Sequence, residues 1–428
     1  MYPFTRNFRE YNWTRLTTVA WQDDPELVCM AHAHGVRVVA NAGNLKEALK
    51  GPVQRVDWVL QMVKHIIAHA LDGINFDLEE AAAPGSDVAK AYTQLVGLTS
   101  EVLHEVAPHS QVSVDVPWTP FDSDGRNYEW TELARHADPL FVMGYDMQAQ
   151  IWGRCIASAN DPFSLVLNGL KQWLYLVPAS VLVLGVPWYG YDYECLNSDG
   201  QQDLVLDVGQ QMQETCGGDS RGMRGGAEGS RGDVCELHPA EFRGAPCSDL
   251  VGAQRPIAEL LQVMDSHGVG NVKWDSLQQA PYFNYAKDGK MHQVWFSNPE
   301  SLALRYEMAA ELGLKGVGAW NLEHLFSRSE AGITAALAPA GGQASPTELQ
   351  MRASMWQAVE TFFLLRVNAS KVLPECLPRD GTVALLKVHA PERSDSPSSI
   401  LSRRRTPSKP PPGCPLKAKC MSSVNDGG

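Results

Sequence analysis

One ten-residue stretch, Leu71-Asp-Gly-Ile-Asn-Phe-Asp-Leu-Glu-Glu80, sets acidic and amide side chains against a strict apolar alternation. Ile74, Phe76 and Leu78 fall on one parity; Asn75, Asp77 and Glu79 fall on the other. Alternate side chains of a strand point to opposite faces. If the apolar set packs outward, the carboxylates face inward, and charged groups are rarely buried there without a partner or a task. Asp77 and Glu79 sit two residues apart, so their Cα atoms are roughly 6.5 Å apart on one face. Two carboxyls that close resist ionising together, and one of them keeps its proton. Glu79, nearer the C-terminal end of the strand, is the expected protonated general acid, worth on the order of 10²–10⁴ in rate. A protonated acid beside an ionised partner is the equipment for breaking a glycosidic bond.

A parallel sheet wrapped in helices is the scaffold that places such a pair at one mouth. Short β-branched runs recur at 16–20, 37–43, 73–79, 112–118, 140–146, 181–190 and 316–322. Helical periodicity fills the intervals, as at 57–70 and 88–106. This alternation predicts an α/β fold of the (β/α)8 TIM-barrel type, with the active site at the C-terminal mouth. Only seven strands are legible where a closed barrel needs eight. The first is expected to be missing or truncated ahead of Leu16, with residues 1–8 as the available substitute. A barrel lacking a strand exposes two edges, so low stability is expected.

Two segments break the pattern. Residues 198–233 hold nine glycines in 36 positions, a flexible insertion between the seventh and eighth strands. Its Arg231-Gly-Asp233 tripeptide is read as accidental. Residues 363–428 lose helical patterning and become Pro-, Ser- and Arg-rich, the composition of a disordered tail. The catalytic unit is therefore placed at 1–362.

Lys plus Arg total 36 against 49 Asp plus Glu, a formal charge of −13. That balance argues against nucleic acid as a partner. No run approaches a membrane span, and the N-terminus does not read as a secretory signal. None of the nine cysteines forms a zinc-like CxxC pair, so neither metal nor other cofactor is expected. Cys195, Cys235 and Cys247 cluster around the insertion and read as a loop-tying disulfide set, with partners unassigned. Sequons stand at Asn12 and Asn368.

Asp72-Gly-Ile-Asn75-Phe-Asp77-Leu-Glu79 resembles the DxxDxDxE signature of glycoside hydrolase family 18, the chitinase-like barrels. Met143-Gly-Tyr145-Asp146 resembles its MxYD element. Leu184-Gly-Val-Pro-Trp188-Tyr-Gly190 and Gly316-Val-Gly-Ala-Trp320-Asn321 resemble its seventh and eighth strands. Stretches 186–197, 242–249 and 292–295 narrow the resemblance to one branch of the family. The likeness covers about 10–197 and 234–362.

The resemblance implies substrate-assisted catalysis on a small N-acetylglucosamine-containing oligosaccharide. Glu79 would protonate the leaving oxygen while the sugar's own 2-acetamido carbonyl attacks the anomeric carbon. Asp77 would steady the resulting oxazolinium, Tyr145 would bond the acetamido oxygen, and Trp320 would floor the site. The branch implies cleavage of GlcNAc-β-1,4-GlcNAc, a lysosomal setting and a monomer. The signature's middle Asp is Asn75 here, which predicts that Asp77 stays ionised more simply, with a narrower or lower pH optimum. Asp146 is expected to hold the reacting sugar or the acid. Met143 goes to the substrate site with its motif, and Asp115 is a substrate contact or a satisfied buried acid. Trp118, Trp188 and Trp295 are candidates for stacking on sugar faces or for the core.

Other readings remain. Ordinary double displacement would draw a nucleophile from Asp192 or Glu194. A lectin-like, non-catalytic barrel would be expected to lack Glu79. An inactive truncated isoform would fit the missing strand.

Overall fold

In a computed structural model, residues 7–21, 23–147, 155–196, 234–326 and 345–372 are described. Met1–Arg366 form one compact unit, and of Val367–Gly428 only the end of a helix is described. The Gly-rich segment 198–233 and the tail beyond 372 lie outside the described residues.

Seven parallel strands form one sheet. They are β1 (Thr18–Ala20), β2 (Arg37–Asn41), β3 (Gly73–Phe76), β4 (Gln111–Pro117), β5 (Leu140–Met143), β6 (Leu182–Pro187) and β12 (Gly316–Trp320), in that spatial order. Helices α1 (Pro25–Ala33), α2 (Pro52–Ala68), α3 (Asp87–Val106), α4 (Trp130–His136) and α5 (Phe163–Leu176) connect successive strands up to β6. The expected helices at 57–70 and 88–106 are α2 and α3. Ser86 caps α3 by accepting from the Ala89 N–H at 3.3 Å, and Tyr92, Leu95, Val96 and Leu103 bury its inner face.

Every strand of the middle of the sheet divides its side chains as the alternation predicts. Ile74, Phe76, Val114, Val116 and Leu184 lie under the helices, each 0% exposed. The other parity fills the interior. Phe141 projects across Gly185 and Gly318, where an added Cβ would lie 2.4 and 2.6 Å from its ring. Those two glycines are the space the phenyl occupies.

Among the described residues no strand lies between β12 and β1. The described residues ahead of β1, 7–17, form two short 3-10 turns, Asn7–Glu10 and Trp13–Arg15, and most of the expected substitute at 1–8 lies outside the described residues. These turns still bury Phe8 and Trp13. Asn7 donates to Glu323 just after β12 at 2.9 Å, and Tyr11 donates to the same carboxylate. At the mouth, Trp21 meets Trp320 edge to face with centroids 4.9 Å apart. The two edges of the sheet are thus linked by side chains.

The run at 181–190 is not one strand. It breaks after Pro187, and β7 (Tyr189–Glu194) enters a second, antiparallel sheet with β8 (Ala253–Pro256), β9 (Lys273–Asp275), β10 (Ala280–Lys287) and β11 (Lys290–Phe296). Strands β10 and β11 form a hairpin over Asp288-Gly289, both with positive φ (52° and 75°). That is the geometry an Asp-Gly hairpin turn requires. The Cys195–Cys235 disulfide ties the ends of the Gly-rich segment, and Cys155–Cys247 forms a second bridge. Helix α6 (Ile257–Ser266) joins β8 to β9, α7 (Pro299–Glu311) follows β11, and α8 (Pro346–Val372) ends the described part. Helix α8 runs past residue 363, so the helical pattern extends further than its sequence suggests. Among the described residues, no helix is long and apolar enough to cross a membrane.

Candidate active site

Strand β3 ends at Phe76, so Asp77 and Glu79 stand on the turn just beyond it rather than within the ladder. Asn75, still on the strand, faces inward. Its amide nitrogen donates to Ser113 at 3.0 Å and to Asp115 at 2.9 Å, both on β4. Its oxygen accepts from the Trp21 indole at 2.6 Å. All of the amide's polar surface but one lone pair is therefore fixed, and the neutral side chain separates Asp115 from the seam.

Asp77 is largely buried, and its Oδ1 has no hydrogen-bond partner among the described residues. Burial raises its pKa to about 7, the Glu79 charge adds to this, and Arg126 opposes it. This corrects the expectation drawn from Asn75. Losing one neighbouring acid does not leave Asp77 simply ionised, because desolvation outweighs the missing charge. Asp115 is pushed up as well, first by burial and then by Asp77.

Glu79 is not enclosed in the barrel: its side chain is 52% exposed. Its Oε2 accepts from Arg126 at 2.9 Å, and the same guanidinium reaches Asp124 at 3.0 Å. Arg126 itself is only 3% exposed. It sits in the turn after β4, where Asp122, Asp124 and Gly125 all have positive φ.

Met143 ends β5 on the inward parity, paired in register with Pro117 and Gly185. Tyr145, two residues on, is 8% exposed. Burial, reinforced by Asp115 and Asp146, holds its phenol well above the usual pKa, so it remains an O–H donor. Asp146 adopts a left-handed backbone (φ 54°) secured by its N–H donating to Asn160 at 2.6 Å. Its carboxylate accepts from Tyr189 and, at 2.9 Å, from Tyr191, both on β7. Its pKa is raised by burial, against these two hydrogen bonds. Trp320 closes the mouth against Trp21.

Three of the tryptophan candidates belong to packing. Trp188 is 1% exposed, donates to Tyr306 at 3.1 Å and meets Trp356 edge to face. It lies in the layer between strands and helices, which removes it from the substrate site. Trp118 packs on Gly169 of α5, and Trp295 stacks on Tyr282 at 4.6 Å. Asp192 and Glu194, the alternative nucleophiles, are committed elsewhere. Asp192 accepts from Tyr285 at 2.8 Å and bonds His292 at 2.9 Å, while Glu194 pairs with Lys290.

Arg126, Trp21 and the Tyr189–Tyr191 pair escaped the sequence reading. The tyrosines carried a signal, a period-two aromatic face along 189–193. Arg126 carried none, since its Ser-Asp-Gly-Arg context reads only as a turn.

A carboxylate pair at the C-terminal mouth of a parallel barrel sheet, with a buried tyrosine and a tryptophan beside it, is the equipment of a barrel glycosidase. The profile of the glycosyl hydrolases family 18 matches residues 28–324, and the chain belongs to that family. It is a glycoside hydrolase. Di-N-acetylchitobiase of Rattus norvegicus is 38% identical over 321 residues, covering 74% of this chain and 78% of that protein. The Homo sapiens di-N-acetylchitobiase is 37% identical, covering 74% of this chain and 75% of that protein. The stretches at 186–197, 242–249 and 292–295 read as those of this branch, in line with these identities. A class V chitinase from Nicotiana tobaccum shares the fold, at TM-score 0.56 and 14% identity over 83% of this chain and 94% of that one.

Proposed function

We propose that this glycosidase splits the β-1,4 bond of GlcNAc-GlcNAc units, in chitobiose cores and small chito-oligosaccharides, by substrate-assisted catalysis with retention. Glu79 delivers a proton to the leaving oxygen, and the 2-acetamido carbonyl bonds to the anomeric carbon. Asp77 accepts the acetamido N–H and balances the oxazolinium charge. Tyr145 donates to the acetamido oxygen. Water then adds to the anomeric carbon as the oxazolinium C1–O bond breaks and restores the acetamide, and the water gives its proton to Glu79. Holding the internal nucleophile in place supplies much of the barrier reduction. Asp146 and Asn75 help to hold the site together, Met143 and Trp320 border the sugar, and Asp115 bears on Asp77 by its charge.

The observation that carries this reading is the buried, unpartnered Oδ1 of Asp77 beside the exposed carboxylate of Glu79. A buried acceptor left open fits an amide N–H that arrives with the substrate. The commitment of Asp192 and Glu194 to other partners supports it against double displacement. The sheet is read as part of a barrel of eight-stranded plan, seven of whose strands fall among the described residues, and the protein as a monomer acting in lysosomal glycoprotein breakdown. The disulfides suit an oxidising route to that compartment. Chitobiose should be cleaved and its analogue lacking the 2-acetamido group should be inert. Equal turnover of the two would end the proposal.

A further inference from the structure

We propose that Arg126 is the positioning residue for Glu79: its buried guanidinium holds the acid–base carboxylate in place until a sugar enters. The proposal rests on the reading of Glu79 as the proton donor. It starts from an imbalance of burial. The guanidinium is 3% exposed, fixed by Asp124 at 3.0 Å and by the Ser123 carbonyl at 3.4 Å, while the Glu79 side chain it also grips is 52% exposed. The cation cannot follow solvent, but the carboxylate can swing. A charge-assisted bond of this kind favours the ionised acid and weakens once that acid is protonated.

The proton then has a defined path. In the free enzyme burial favours the protonated form of Asp77, while Arg126 holds the Glu79 carboxylate at 2.9 Å. When the acetamido N–H approaches Asp77, an ionised acceptor is needed, and the proton passes to Glu79. Neutral Glu79 leaves Arg126 and gives the proton to the glycosidic oxygen as the C1–O bond breaks. The carboxylate is restored. It takes a proton from water as the hydroxyl bonds to C1 and the bond from C1 to the acetamido oxygen breaks, and that proton restores the starting state of the pair.

Other charges also bear on this pair. Asp115 on β4 and Tyr145 and Asp146 just after β5 feel Glu79, and Arg243 lies near Asp124. Glu80 is turned to Lys46 at 3.8 Å. Arg126 is the cation in direct contact, so its removal is expected to dominate.

The test is the pH profile of kcat/KM on chitobiose for Arg126→Gln, Arg126→Lys and Asp124→Asn, with Glu79→Gln alongside. Losing the cation makes both protons of the pair harder to remove. Arg126→Gln should therefore move both limbs up by about one pH unit or more. Arg126→Lys keeps the charge and should leave the limbs near their original pH while lowering kcat. Asp124→Asn strips a competing anion from Arg126 and should move both limbs down, which keeps the test alive if Arg126→Gln does not fold. Limbs that stay put in both charge-changing variants would overturn the proposal and mark Arg126 as a turn anchor. Retained activity in Glu79→Gln would instead sink the reading of Glu79, leaving the two failures distinct.

Discussion

Two buried arginines of this molecule face opposite fates. Arg305, 0% exposed, donates to Asp161 at 2.9 Å, to the Gln279 carbonyl at 2.6 Å and to the Ser301 and Gln278 carbonyls at 3.1 Å. All its acceptors are backbone or buried, and Asp161 is itself 3% exposed. Arg126 is almost as buried, yet one of its two carboxylates lies half in solvent. The first pairing can only be kept or broken with the fold. The second can be made and unmade within a catalytic cycle. What separates a structural ion pair from a working one here is the mobility of the partner, since the cations are equally enclosed.

The sharpest way to break that contrast is at the mobile end. Glu79→Gln keeps the shape and removes the proton, so kcat should fall on the order of 10²–10⁴ with binding retained. Steady-state kinetics beside calorimetric binding of chitobiose would check it. At the fixed end, Arg305→Met strands Asp161 as a buried, unpaired acid. It should cost about 3–5 kcal/mol of stability, read from denaturant unfolding, while the limbs of the pH–activity profile stay where they are. Shifted limbs in that variant would erase the distinction between the two arginines.

A smaller loss is expected from the interior that supports both regions. Gly185→Ala drives a methyl to within 2.4 Å of the Phe141 ring, and should cost about 1–3 kcal/mol unless Phe141 is shortened as well. The unfolding midpoint of the single variant and of its combination with Phe141→Leu reads this directly.

Asp77 offers the finest test. Its proton is held more tightly in the folded protein, where the pKa is about 7, than in an unfolded chain at about 4. Stability should therefore fall as pH rises from about 4 to about 7 and stay flat below that window. Asp77→Asn should remove the slope. Parallel unfolding curves for the two proteins across that range would count against the buried position of Asp77.

Much of this was legible in the residues, for reasons that can be named. The alternation from Ile74 to Phe76 showed which side chains face inward, because a strand has a period of two and its apolar parity lies under helices; it was carried too far at Glu79, which stands beyond the end of the strand and is half exposed. The motif at 143–146 placed Tyr145 and Asp146 at the same mouth. The sequence misled at Trp188, since an aromatic beside a barrel mouth has no mark showing which layer it enters. Strand β7 was read as the end of β6 because no turn residue separates them beyond Pro187. The antiparallel sheet has one local mark, Asp288-Gly289 between two aromatic runs, a hairpin signal that the alternation of strands and helices does not contain. Arg126 was invisible for a deeper reason. Its role comes from a turn that folds back on Glu79, and a contact between loops 47 positions apart leaves no local pattern.

The central claim is that the substrate's own amide is the nucleophile, steadied by Asp77 and triggered by Glu79. A series of GlcNAc-β-1,4-GlcNAc substrates with acetyl, fluoroacetyl, difluoroacetyl and trifluoroacetyl groups on the cleaved sugar tests it most directly. Each fluorine withdraws electrons from the attacking oxygen, so kcat/KM should fall steeply and monotonically along the series. A flat response would place the nucleophile on the protein and contradict the account.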